Sequence, residues 1–461
     1  MLHDRKIVHL NGRILHRARS GIVIQYNEQE RIMKVVFIGA GSAFGSRVSV
    51  DVLSREPLQD ATIALCDLDE KKLKTVHRYV ERVIESNGLP ATVVSSTDRI
   101  ELLKDADFVI LSVAIGGPAY FGEPFESEMN IPAKYGVRQT VADTMGPGAV
   151  FRSLRSAPPM LEMIADVNRL APNAMILNYT NPMAVLTWSF NEVSEVPLVG
   201  LCHGVQGNAK RLAKLAGVED GDVEYVCAGI NHMTWFTKFE HNGQDLLPSL
   251  MEKIVASSKG SDPYEFRGEI VEAFGFYPTE SDRHFPEYVP WFQNGDRALF
   301  TPHLERTLGI KDRRHTWFED MGIKANSMES LELIRSHEWA SAIMEAVTTN
   351  VPMVFSGNVI NRGFISNLPS PSCVELPCTA DANGLHPHWI GELPVQCAAL
   401  CKTNIIAQEL LVEAIRRRSK EAAYWALLMD PITSANLTIA KTREMFDELW
   451  KADEHLLGEY R

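Results

Sequence analysis

Cysteine is scarce in this chain. It occupies only positions 66, 202, 227, 373, 378, 397 and 401 of 461, an odd number without the density of a disulfide framework. Such usage suits a reducing compartment, and a cytoplasmic location is expected. Basic charge is also in deficit: 46 Lys and Arg face 59 Asp and Glu, for a formal net charge of −13. Nucleic acid is thereby excluded as the main partner, because backbone binding needs a basic face. No uncharged apolar run reaches the ~18 residues of a membrane span, so no membrane partner is expected. The first 32 residues lack the apolar core of a secretory signal; they are basic and polar, and Met33 stands directly before the first clear strand. For 1–32 an upstream extension or mis-set start is expected, with a short ordered arm as the alternative. Internal repeats and low-complexity segments are missing too. What remains is 45% apolar, enough for one large domain or two moderate ones with sizeable cores.

From Lys34 short apolar runs alternate with longer amphipathic stretches. The runs predict strands at 34–39, 61–67, 91–96, 107–114, 175–180 and 197–202. Between them 69–87 reads as a helix, with Leu73, Val76, Tyr79, Val80 and Val83 on one face. Apolar strands alternating with helices indicate a parallel sheet covered on both sides, a Rossmann-like doubly wound α/β half. After about residue 203 helical patterns dominate, at 207–217, 246–257, 329–349 and 396–428. Strand-like pieces at 228–236 and 351–360 are interleaved with them, and the Pro/Gly-rich stretches 367–378 and 381–394 read as a structured loop. The expected division is an extension (1–32), a dinucleotide domain (33–205) and an α+β, mainly helical, domain for substrate and oligomerisation (206–461). A homodimer or homotetramer is expected.

Gly39-Ala40-Gly41-Ser42 closes the first strand ahead of a helix. Glycines there let backbone N–H groups approach a pyrophosphate, and the helix N-terminus offers it partial positive charge. The usual third glycine would fall at Phe44, whereas Gly45 lies one place later. A glycine turn before a helix is common and means little alone. The acidic end of the second strand, Asp67, adds the group that accepts ribose hydroxyls, and its charge favours NAD over a 2′-phosphorylated cofactor.

Further on stand QTVADTMGPGAVFRSLRSAP (139–158), NYTNPMAV (178–185), GLCHGVQG (200–207), AGINHM (228–233) and SDRHFPEYVPWF (281–292). Cys202 and His232 each follow an apolar run, and a thiolate with an imidazole suits a borderline transition metal. On spacing alone a buried small cysteine and a hydrogen-bonded core histidine are the better explanation.

As a set, these segments resemble glycoside hydrolase family 4 from Met33 onward: the glycine turn, D-T-x-G-P-G, N-x-N-P, Cys-His, G-I-N-H and D-A-N-G-L. The resemblance implies bound NAD and a divalent metal, typically Mn2+, with Cys202 and His232 as ligands. Asn181 would hold the substrate near both groups, with His203 and Arg152 also toward it. Tyr288 matches the tyrosine proposed as base, and Asp282 is the rival base; simple core packing is the plain alternative for Tyr288. Asp143 is the candidate for assisting the leaving group, since His203 stands where phospho-sugar members carry Asp; a turn cap is the plain alternative. Arg152 and Arg155 would contact cofactor or substrate, or else be solvated helix arginines. The implied chemistry is transient oxidation at C3, C2 deprotonation, β-elimination and water addition, an exception to the two-carboxylate scheme.

Cys202-His203 points to unphosphorylated sugars. The following Gly204 resembles uronide members, whereas VQG, AGINHM, HFPEYVPWF and DANGLHP resemble the α-galactosidase branch. α-Galactoside hydrolysis is therefore expected, with α-glucuronide, α-galacturonide or another acidic sugar as the alternative. A simple NAD-dependent dehydrogenase and a non-catalytic NAD sensor are the rivals outside the family, and neither needs Cys202 and His232 together.

Overall fold

The computed structural model describes residues 32–118, 120–258, 266–279, 284–292, 318–327 and 329–461, together with two short strands, Val8–Leu10 and Arg13–Leu15, that pair antiparallel. Most of 1–32, and the candidate base Asp282, lie outside the described residues.

All six strands expected in the first half form: β1 (Lys34–Ile38), β2 (Thr62–Cys66), β3 (Thr92–Ser96), β4 (Phe108–Leu111), β5 (Met175–Asn178) and β6 (Leu198–Gly200). They pair in parallel in the order β3-β2-β1-β4-β5-β6. This is the doubly wound arrangement that binds ligands where the strand order reverses, at the carboxyl ends of β1 and β4. The central strands β4 and β5 are buried throughout, as strands covered on both faces must be, while edge strand β3 keeps exposed positions.

Helix α1 (Ala43–Leu53) follows β1, and α2 (Glu70–Asn87) follows β2. Asp69 caps α2 by accepting from Lys72 N, Gly88 ends it in the left-handed region, and Leu73, Val76, Val80 and Val83 are buried against the sheet. Helix α3 is Arg99–Leu103, α4 is Phe125–Lys134, α5 is Pro147–Leu170, α6 is Met183–Asn191 and α7 is Gly204–Ala216.

Beyond α7 the sheet continues with antiparallel strands: β7 (Glu224–Ile230), β8 (Met233–His241), β11 (Met353–Ile360) and β12 (Cys373–Asp381), with short pieces β9 (Gln244–Asp245), β10 (Tyr277–Pro278) and β13 (Gly384–Pro387). The seam between the halves is β6 against β11, through Gly200 opposite Asn358. A Cβ on Gly200 would meet Met183 Sδ and Thr187 Oγ1 at 2.5 Å, so only glycine lets α6 and β11 close over it. Helices α8 (Leu247–Ser258), α9 (Phe266–Phe274), α10 (Phe285–Tyr288), α11 (Ala340–Thr349), α12 (Val395–Arg417), α13 (Lys420–Met429), α14 (Pro431–Asn436) and α15 (Ile439–Asp453) lie in this second half. None of the described helices is long and apolar enough to cross a membrane.

Four local expectations change. The segment read as one strand at 228–236 is a hairpin that turns at Asn231 and His232. The stretch read as loop at 367–378 enters the long buried strand β12, which pairs with β11 from Cys373 to Ala380. Residues 330–338 are not helical; Arg335 and Ser336 are tied by side-chain hydrogen bonds to Ser54 and Asp51 on α1, which draws that stretch along α1 instead. The run 396–428 breaks at Arg418, held left-handed at φ 53°, and Ser419 then caps α13.

Candidate active site

At the end of β1, Gly39 and Ala40 donate to Cys66 O, both at 2.9 Å, pinning the turn beside β2. Gly39 sits at φ +89°, and a Cβ there would lie 2.1 Å from Ser112 O. Gly41 N donates to Asp67 Oδ2 at 2.7 Å; a Cβ on Gly41 would press on that carboxylate at 2.8 Å. Ser42 caps α1, accepting from Gly45 N at 3.3 Å. A Cβ on Gly45 would fall 2.4 Å from Ala40 O. Gly45 therefore allows the close helix packing of a third glycine, one residue later than the usual spacing places it.

Val113 N, just past β4, donates to Thr180 Oγ1 at 3.1 Å, and the neighbouring Asn181 donates through Nδ2 to Asp143 Oδ2 at 2.9 Å. A chain of contacts thus runs from the glycine turn through the ends of β4 and β5 to Asp143. Among the described residues, Asp143, His232 and His284 form a group whose ligand atoms all lie within 4.8 Å of one another.

Each member arrives from a different segment. His232 occupies the tip of the β7–β8 hairpin at φ +62°, bracketed by the Ile230–Met233 pair. A non-glycine residue in the left-handed region persists only when its surroundings hold it. Here the buried Asn231 is anchored by donating to Glu375 Oε2 of β12 at 3.1 Å. His284 immediately precedes α10; its ring centroid lies 4.1 Å from that of His232, and its Nε2 lies 3.5 Å from Asp143 Oδ1. Asp143 follows the buried run 139–142 and accepts from Tyr120 OH (2.9 Å) and Thr144 Oγ1 (2.9 Å). Thr144 Oγ1 also lies 3.2 Å from His232 Nδ1, joining two of the three.

Burial pushes the Asp143 carboxyl up, but hydrogen bonding to and charge on His284, with Arg152 and His232, outweigh it and hold the group well below the usual carboxylate range. The carboxylate, not the acid, is the favoured form there, which suits a ligand better than the expected proton donor to a leaving group. The loop bearing Asp143 is fastened by three other buried side chains. Gln139 Oε1 accepts from Gly148 N at 2.8 Å, and Asp430 Oδ1 accepts from Gly146 N at 3.0 Å. Glu287 Oε1 accepts from the backbone of Thr140, Val141 and Ala142. Burial raises the Glu287 carboxyl to about 7, against the pull of the Val141 and Ala142 amides, and raises Asp430 to about 6 against the bonds from Thr433 and Gly146.

Of the other sequence candidates, Tyr288 is fully buried at the end of α10, its ring 6.5 Å from that of His232. Arg152 is buried, with its guanidinium 5.4 Å above the Tyr120 ring and 5.7 Å from that of Phe125, so it is no solvated helix arginine. Arg155 is committed elsewhere: it forms a buried ion pair with Glu128 at 2.8 Å and donates to Ile115 O. Cys202 lies just past β6, half-buried, its Sγ accepting from Gly204 N at 3.4 Å; it is not among the three clustered groups. His203 is largely exposed, its Nδ1 3.6 Å from Glu338 Oε1. Sequence reasoning passed over His284, Tyr120, Thr144 and Glu287. The signal for two of them was present in H-F-P-E-Y, where His284 and Glu287 flank the aromatic stretch that drew attention to Tyr288.

Residues 34–218 match the sequence model of the family 4 glycosyl hydrolases, and 227–433 match that of the family 4 glycosyl hydrolase C-terminal domain. The chain belongs to glycosyl hydrolase family 4. Within this family it is 38% identical to an alpha-galactosidase of Bacillus subtilis, over 93% of this chain and 100% of that one. It is 34% identical to an alpha-galactosidase of Rhizobium meliloti, over 93% of this chain and 89% of that one. Its fold is that of a 6-phospho-beta glucosidase from Thermotoga maritima solved with manganese, NAD+ and glucose-6-phosphate, at a TM-score of 0.78 and 22% identity, covering 92% of this chain and 98% of that one. The family 4 likeness thus extends over both halves of the sheet.

Proposed function

We propose that the protein hydrolyses α-galactosides with NAD+ bound at the glycine turn and Mn2+ held by Asp143, His232 and His284. The observation that carries this reading is the Asp143–His232–His284 group, its first two members buried, tied through Asn181 and Thr180 to the ends of β4 and β5, beside the strand that bears the glycine turn. The fit of each cofactor rests on this chain's own residues. Side chains at Gly39, Gly41 and Gly45 would collide with Ser112, Asp67 and Ala40, so these glycines permit the tight turn that brings backbone N–H groups close to a pyrophosphate. Two imidazoles and a carboxylate are a donor set suited to a divalent first-row metal, with positions left for substrate oxygens. Cys202 is the further ligand that the family likeness implies, and 33–205 and 206–461 would supply the dinucleotide and the substrate parts of the site.

When bound, the nicotinamide supplies a reversible hydride acceptor and the metal a Lewis acid. The chain's residues then have separable tasks. Asp67 receives the ribose hydroxyls and disfavours a 2′-phosphate. Asn181 and the neighbouring Arg152 orient the sugar against Asp143, and His203 faces it from the end of β6. Tyr288 takes the C2 proton, with Asp282 the rival for that role. Tyr288, fully buried beside His232, helps exclude water from the deprotonated sugar.

A panel of nitrophenyl α-glycosides with NAD+ and Mn2+ under reducing conditions tests the reading. The α-galactoside is expected to turn over fastest, with no net NADH. A preference for α-galacturonide or α-glucuronide would transfer the assignment to acidic sugars, which Gly204 after Cys202-His203 favours. NADH accumulating in step with product would make the protein a dehydrogenase.

A further inference from the structure

Glu287 is fully buried on α10, three residues after His284, and its bonds run to backbone. A single oxygen, Oε1, accepts from three successive amides: Thr140 N at 2.7 Å, Val141 N at 2.8 Å and Ala142 N at 2.9 Å. Ala142 stands at φ +56°, the left-handed turn that lets consecutive N–H groups converge on one acceptor. The next residue is Asp143. One carboxylate therefore clasps the segment that delivers Asp143 to the helix that follows His284. Its second oxygen, Oε2, is buried with no hydrogen-bond partner among the described residues, so the group is placed for the three amides and not for a wider polar network. A residue serving only to fill this part of the core would have no reason to bury a carboxylate.

We propose that Glu287 is a positioning residue: by clasping the 140–142 backbone it sets the separation of Asp143 from His284 and thereby the affinity of the metal site. The proposal rests on the reading that Asp143, His232 and His284 hold the metal. Outer groups that orient ligands change metal affinity by about 10–100-fold when lost, and a clasp on two ligand segments acts in the same manner.

The test uses purified full-length protein freed of metal, titrated with Mn2+ and followed by the electron paramagnetic resonance of the free ion. Glu287→Leu, which removes the acceptor, is expected to weaken Mn2+ binding by about 10–100-fold. Glu287→Gln keeps an oxygen at the same reach and is expected to retain most of the affinity. Glu287→Asp withdraws the carboxylate by one methylene and is expected to fall between them, and it serves alone if the leucine variant does not fold. Amide exchange at 140–142 should quicken in the order Gln, Asp, Leu, while NAD+ affinity stays within about twofold. Wild-type Mn2+ affinity in both Glu287→Asp and any folded Glu287→Leu, alongside a His284→Ala variant that has lost the metal, would overturn the clasp and leave the ligand reading standing. Unchanged Mn2+ binding in His232→Ala and His284→Ala would overturn the ligand reading itself, and the clasp with it.

Discussion

Gly45→Ala is the sharpest test of the cofactor end. The added Cβ would stand 2.4 Å from Ala40 O and 2.9 Å from Ala40 Cα, where ordinary contact begins at 3.4 Å. Both atoms are backbone, so neither can swing aside. Relief requires the first turn of α1 to move away from the Ala40-Gly41-Ser42 turn by about 1 Å, since the packed sheet behind Ala40 yields little. A charge-assisted N–H···O bond of 2.7–2.9 Å does not survive such a shift. Losing one costs about 1.5–3 kcal/mol, and at ~1.4 kcal/mol per decade NAD+ affinity should fall roughly 10- to 150-fold. Isothermal titration of NAD+ into the purified protein measures it, with Mn2+ affinity expected within about twofold because the metal group lies on other segments. Gly207→Ala is the control: that glycine has nothing within 4 Å of its ideal Cβ and should leave NAD+ binding unchanged. A folded Gly45→Ala protein that binds NAD+ within twofold of wild type would refute the argument that Gly45 does the work of the third glycine.

Hydrolysis in D2O should place deuterium at C2 of the released sugar, read by NMR or mass spectrometry; an active preparation giving none there would defeat the C2-deprotonation mechanism. His284→Ala should weaken Mn2+ by more than the ~100-fold upper range of outer-group changes, whereas a Cys202→Ala loss of the same size would show that the thiolate belongs to the ligand set as well. Tyr288→Phe should depress turnover strongly if the phenol takes the C2 proton; a mild effect, with Asp282→Asn severe, would hand the role to Asp282. Asp430 is held at about 6 by burial, above its unfolded value near 3.9, so the folded state keeps a proton that the unfolded chain releases between those pH values. The stability of wild type relative to Asp430→Asn should therefore fall as pH rises from about 4 to about 6 and level off above that. Thermal unfolding of metal-free protein across pH 4–8 would show a flat difference if the carboxyl were not so perturbed.

The parallel half of the fold was legible because its central strands are covered on both faces and so appear as unbroken apolar runs, with α2 showing one clean apolar stripe. The antiparallel half was harder to read. Cys373–Asp381 carries Pro377 and follows Ser-Pro turns, and its buried character comes from β11 beside it, which no local pattern reveals. The hairpin at Asn231-His232 lacked the usual glycine, because Glu375 from across the sheet holds Asn231 in place. Asp143, His232, Asn181 and Tyr288 were recognisable as residues of chemical interest and do lie together. His284 and Glu287 were hidden among aromatic neighbours, and their meaning depends on a loop some 140 residues earlier. Arg155 shows the opposite failure: a charged residue in a suggestive motif that is spent on a buried ion pair with Glu128.

Asp143, His232 and His284 stand far apart in the chain, one on a loop, one on a hairpin tip and one before a short helix. No short stretch of the unfolded polypeptide holds two of them side by side, so the denatured chain cannot reproduce this group locally. Binding free energy at such a site adds to folding free energy. An ion present at a hundred times its dissociation constant stabilises the native state by about 2.7 kcal/mol. Heat resistance would then follow the free manganese around the protein. Metal supply would govern how many molecules remain folded, in addition to how fast each one works.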